Sequence, residues 1–146
     1  ADADGRSIIS QLKNYSEIQG ERVFLTESLG FENYLNALSH IDCVVGNSSS
    51  GLLEVPSFQI PTINIGDRQK GRLKAGSVID CDATVAGITE AIEKSMSESF
   101  RKILKTIVNP YGDGRATEVI MQTLRAINLT TLIRKPFYDI EFEVDV

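Results

Sequence analysis

Apolar residues recur along this chain with two alternating spacings, and that alternation limits its fold more than any other feature. Ile8, Leu12 and Tyr15 are spaced as one face of a helix, whereas Val23-Phe24-Leu25 is a short apolar run of strand type. Phe31, Tyr34, Leu35 and Leu38 return to the i, i+3, i+4, i+7 pattern of a core-facing helix. Ile41-Asp42-Cys43-Val44-Val45, closed by Gly46, reads as a buried strand, followed by a serine-rich turn and a short helix over 51–58. Pro61 opens a further strand through Thr62 to Ile65, and Val78-Ile79 is another. Three helices close the chain, with faces Val85, Ile88, Ile92, Met96, then Phe100, Ile103, Leu104, Ile107, then Ala116, Ile120, Leu124, Ile127. Asn109-Pro110 stops the second of them, because a residue before proline avoids helical angles, and Asp113 is placed to cap the third.

Strands alternating with helices predict an α/β domain, a mainly parallel sheet with helices on both faces. Right-handed crossovers then put every strand-to-helix loop on one edge, outside the carboxyl ends of the strands, where open α/β sheets bind ligands. Four strands make a thin sheet and the chain opens on a helix, so the first strand is expected to be missing. The start at Ala1 without Met fits a fragment or a processed product. At 146 residues and 42% hydrophobic the chain suits one domain, read as 1–146 with a docking tail over 136–146, where Phe137, Tyr138, Ile140 and Phe142 are too apolar for a free end. Its net charge of -5 argues against a nucleic-acid surface, and no apolar run is long enough for a membrane span. Cys43 and Cys81 are too few for a disulfide framework and read as buried thiols of a reducing, cytoplasmic compartment.

Two loops carry chemistry. Gly46-Asn47-Ser48-Ser49-Ser50-Gly51 turns a strand into a helix through small residues, which presents backbone N–H groups and hydroxyls to an anion. A serine turn that merely caps its helix would use the same residues, and the loop is neither a Walker loop nor G-x-G-x-x-G. Glu54, in the first helical turn, either complements the helix dipole or accepts both hydroxyls of a ribose diol. The second loop, Gly66-Asp67-Arg68-Gln69-Lys70-Gly71-Arg72, gathers three cations in five residues of an acidic chain. On the same sheet edge as the serines, it would complete a diphosphate clamp.

These loops, with Pro61-Thr62-Ile63-Asn64-Ile65 and Tyr111-Gly112-Asp113-Gly114, appear in the same order in the UDP-N-acetylglucosamine 2-epimerase family, which the chain resembles up to about Tyr138. The closest likeness is to the hydrolysing, sialic-acid-pathway branch. Ala1-Asp2-Ala3-Asp4-Gly5 also resembles a family stretch that begins with Asn. The resemblance implies most of the C-terminal, Rossmann-like half of a GT-B fold, whose partners are a UDP-sugar and the N-terminal domain of the same enzyme, with a homo-oligomer left open. It implies that Ser48 and Ser49, with Ser50 and Gly51 beside them, hold the phosphates, Glu54 the ribose hydroxyls and Arg68 the charged end, with Tyr34 near the base. Ser50 departs from family members that have Gly or Cys there, and Asp67 falls at a variable position.

The reaction implied is elimination of UDP with loss of the sugar C2 proton, then hydration of the glucal to free N-acetylmannosamine. In the family the acid/base carboxylates lie in the N-terminal domain, so no catalytic residue is assigned here. His40 precedes its strand and sits at the wrong edge of the sheet, and nothing beside Cys81 activates a thiolate. No Cys/His/carboxylate cluster has metal-ligand spacing, and no cofactor is called for. The rival readings are a GT-B glycosyltransferase domain and a non-catalytic module that senses a phosphorylated ligand.

Overall fold

The structure, a computed structural model, describes residues 5–128 and Phe137; the expected docking tail over 136–146 otherwise lies outside the described residues. Three short strands, β1 (Val44–Gly46), β2 (Thr62–Ile65) and β3 (Val78–Cys81), form a parallel sheet in the order β1-β2-β3. Val44 pairs with Thr62 and Thr62 with Val78, so the strands run level with one another. The helices are α1 (Gly5–Gln19), α2 (Phe31–Leu38), α3 (Ser50–Leu53), α4 (Val85–Met96), α5 (Glu98–Leu104) and α6 (Ala116–Ala126). Thr84 caps α4 by accepting from the Gly87 N–H, and Ser97 caps α5 by accepting from the Phe100 N–H.

Strand side chains alternate between faces, and β2 separates the two halves of the packing accordingly. Ile63, with Ile79 of β3, faces α4 and α5 and joins Ala91, Phe100 and Leu104 in the main core, against which Cys43, Ile65, Cys81 and Ile107 also pack. Thr62 points the other way, where its hydroxyl donates to the Gly51 carbonyl of α3 at 2.9 Å. Helices therefore cover both faces, as a Rossmann-like half of a GT-B fold requires.

Several expectations need correction, beginning with the buried strand read over 41–45: it starts only at Val44, and Ile41 and Val45 are exposed. Val23-Phe24-Leu25 is not a strand: Val23 has extended angles, but the run finds no ladder partner among the described residues and Phe24 is 83% exposed. The helix expected over 51–58 is one α-helical turn, α3, followed by a tighter turn over Val55–Phe58 with Pro56 in its first positions. On α4 the stripe Val85, Ile92 and Met96 is exposed, and the buried positions are Ala91 and Ser95. The face of α4 that meets the core therefore carries small side chains. No described helix is long and apolar enough to cross a membrane.

Candidate functional site

Both chemistry-bearing loops leave the carboxyl ends of neighbouring parallel strands, β1 and β2, and they touch. Arg68 Nη1 lies 3.4 Å from Asn47 Oδ1, and Gln69 Nε2 donates to the Asn47 carbonyl at 2.7 Å. Lys70 and Arg72 are exposed, and their backbone N–H groups close turns within their own loop, onto Asp67 O and Gln69 O. Of the three expected cations, only Arg68 meets the serine turn in a hydrogen bond.

Inside that turn the hydrogen bonds begin with the Ser50 N–H, which donates to Ser48 Oγ at 3.3 Å; the Gly51 N–H follows, to Ser48 O. The Ser48 and Ser49 amides stand outside this network. Because α3 is a single turn, few peptide dipoles align behind the serines. The polar groups at this turn are therefore discrete donors and Arg68, with no long helix behind them. The Tyr34 hydroxyl hydrogen-bonds to Ser50 Oγ, so the aromatic ring of α2 meets the serine turn. Tyr34, Asn47, Ser48, Ser50, Gly51 and Thr62 line a recess of about 250 Å³. Gly51 packs directly on Thr62: a Cβ there would stand 2.5 Å from Thr62 Cγ2, closer than any real contact.

Glu54 lines a separate hollow of about 650 Å³, with Leu35, Phe58, Asn109, Tyr111, Gly114 and Ile120 among its walls. Its Oε2 is buried and has no hydrogen-bond partner among the described residues. Such a group is costly to leave unpaired. The segment after α5 is fastened here: Asn109 Nδ2 donates to Leu53 O and Ser57 Oγ, both at 2.8 Å. The Tyr111 hydroxyl donates to Leu73 O at 2.9 Å, reaching the end of the cationic loop. Asp113 does not cap α6 as expected. Its carboxylate instead accepts from the Arg115 backbone N–H and side chain, which holds it below the usual carboxylate range.

The far end of the cationic loop is fixed by Lys74, whose Nζ contacts both Asp80 oxygens at 2.7 and 2.8 Å, while Asn64 Nδ2 donates to Asp80 Oδ1 at 2.7 Å. Burial alone would raise the Asp80 carboxyl, but the Lys74 and Asn64 hydrogen bonds and the Lys74 charge outweigh it and hold the group low. Burial pushes both thiols up, Cys81 further through the charges of Asp82 and Asp80, so neither is poised as a nucleophile. His40 is exposed just beyond α2. Among the described residues no group of three His, Cys, Asp or Glu could hold a metal ion. The sequence reading missed Asn47, Gln69, Asn109 and Tyr111 as the fasteners of the site. Asn47, Gln69 and Tyr111 fell within the loops already singled out and Asn109 only at a helix stop, since a polar loop residue does not announce its partner.

Residues 1–125 match the family model described as UDP-N-acetylglucosamine 2-epimerase. The chain is 39% identical over 141 residues to the GDP/UDP-N,N'-diacetylbacillosamine 2-epimerase (hydrolyzing) of Campylobacter jejuni, covering 96% of this chain and 36% of that protein. It is 32% identical over 133 residues to the UDP-N,N'-diacetylbacillosamine 2-epimerase (hydrolyzing) of Legionella pneumophila, covering 91% and 34%. With the UDP-N-acetylglucosamine 2-epimerase of Neisseria meningitidis it shares 34% identity over 96 residues, 66% of this chain and 25% of that one. The chain thus spans about a third or less of these relatives' length.

Proposed function

Because the chain belongs to the UDP-N-acetylglucosamine 2-epimerase family, we infer that it is the UDP-binding part of a hydrolysing nucleotide-sugar 2-epimerase. The observation that carries this reading is the contact between the two loops, with Arg68 Nη1 3.4 Å from Asn47 Oδ1 beside a serine turn. Ser48 and Ser49 offer amides, and Ser50 and Gly51 shape the seat, for a diphosphate whose charge Arg68 meets. Glu54, which lines the neighbouring hollow, supplies the carboxylate for ribose hydroxyls, and Tyr34 stands near the base.

In the reaction so proposed, the sugar loses its C2 proton as the bond from C1 to the UDP oxygen breaks, giving a glucal. Water then adds at C1 and a proton returns to C2 from the opposite face, which yields UDP and the free 2-epimer, N-acetylmannosamine from UDP-N-acetylglucosamine. This chain's residues grip the leaving group and stabilise its developing charge. The acid/base groups belong to the N-terminal domain of a two-domain GT-B enzyme. The free thiols Cys43 and Cys81 suit a cytoplasmic setting. Calorimetric titration with UDP tests the reading. Arg68→Ala should weaken binding by about 10- to 100-fold, the worth of one charge-assisted hydrogen bond, and equal heats for wild type and variant would refute it.

A further inference from the structure

We propose that Gln69 is the positioning residue that holds Arg68 against the serine turn, an inference that rests on the nucleotide-binding reading above. Arg68 is exposed, and its own contact with Asn47 is long, at 3.4 Å. The short bond belongs to its neighbour. Gln69 is 3% exposed and its Nε2 reaches the Asn47 carbonyl at 2.7 Å. A buried side chain one residue away thus fixes where the Arg68 backbone stands relative to the serines.

The rest of the loop is anchored elsewhere. The Gly66 N–H donates to Cys81 O at 2.9 Å, Leu73 O accepts from Tyr111, and Lys74 is held by Asp80. Gly66 and Gly71, at φ of 74° and 79°, turn the chain on either side of 67–70. Among the described residues, Gln69 and Arg68 itself make the side-chain hydrogen bonds from this loop to the serine turn.

Gln69 Oε1 is buried and accepts nothing. An apolar side chain of similar length would avoid that loss, so the amide contributes through its donor half, by joining two loops. Replacing it should loosen Arg68 without loosening the fold, a pattern that a residue serving stability alone would not give.

The test uses the protein at its full natural length with UDP as probe, comparing wild type, Arg68→Ala, Gln69→Met and the double variant by calorimetry and thermal melting. Gln69→Met should weaken UDP by about tenfold, as small misplacements of a gripping group do, with the melting temperature unchanged or raised. In the Arg68→Ala background the same change should cost less than about twofold, because its effect passes through Arg68. Wild-type affinity in Gln69→Met, equal losses in both backgrounds, or a loss matched by a fall in melting temperature would overturn the proposal. Should Gln69→Met not fold, Gln69→Leu, uncharged and unable to donate, carries the same comparison; failure of both to fold makes Gln69 a folding residue and overturns it too. Binding lost in Arg68→Ala yet intact in Gln69→Met sinks only this inference, whereas a wild type that does not bind UDP sinks the nucleotide reading with it.

Discussion

β2 and α1 lie at opposite extremes of this molecule. In β2, Thr62, Ile63 and Asn64 are all buried, two of them polar, and each faces a neighbour on one side of the sheet or the other. In α1, with as clear an apolar stripe, no residue is buried; Ile8 is 53% and Tyr15 54% exposed. α6 repeats the pattern of α1, with Ile120 and Leu124 both exposed. Periodicity tells which face of an element is apolar, but only packing tells whether anything covers it. The candidate site draws on both kinds of region: Thr62 and Gln69 are buried, whereas Arg68 and Asn47 meet at the surface and Ile120 of α6 lines the Glu54 hollow.

The sharpest way to break that contrast is Ile63→Ala, which empties the centre of the core. It should cost about 2–5 kcal/mol in urea unfolding. Next comes Gly51→Ala, where the new Cβ would press on Thr62 Cγ2 at 2.5 Å. Overpacking of this kind costs about 1–3 kcal/mol, and adding Thr62→Ser, which removes that methyl, should restore part of the loss in the same measurement. The smallest effect belongs to the uncovered region. Leu12→Lys should change stability by no more than about 0.5 kcal/mol, and a loss approaching that of Ile63→Ala would show α1 to be packed in solution.

The same contrast separates what could be read in the sequence from what could not. β2 was legible because a parallel strand buried on both faces is a short run bounded by turn residues, here Pro61 and Gly66. That the serine and cationic loops share one edge followed from parallel topology alone. The inner face of α4 was misread because Ala91 and Ser95, rather than Ile92 and Met96, meet the sheet. Val23 to Leu25 looked like a strand because local pattern carries no record of whether a neighbour exists to complete the ladder. The ties made by Gln69, Asn109 and Tyr111 were beyond reach for a related reason: each joins segments distant in sequence, and a single amide or hydroxyl leaves no periodic trace.

Gly51 rests directly on Thr62, and the Thr62 hydroxyl holds its carbonyl. The seat beneath the serines is therefore backed by the sheet itself and has little compliance. A ligand of the kind proposed would meet a receptor whose shape was settled during folding, so the entropy of organising it would not have to be lost again on association.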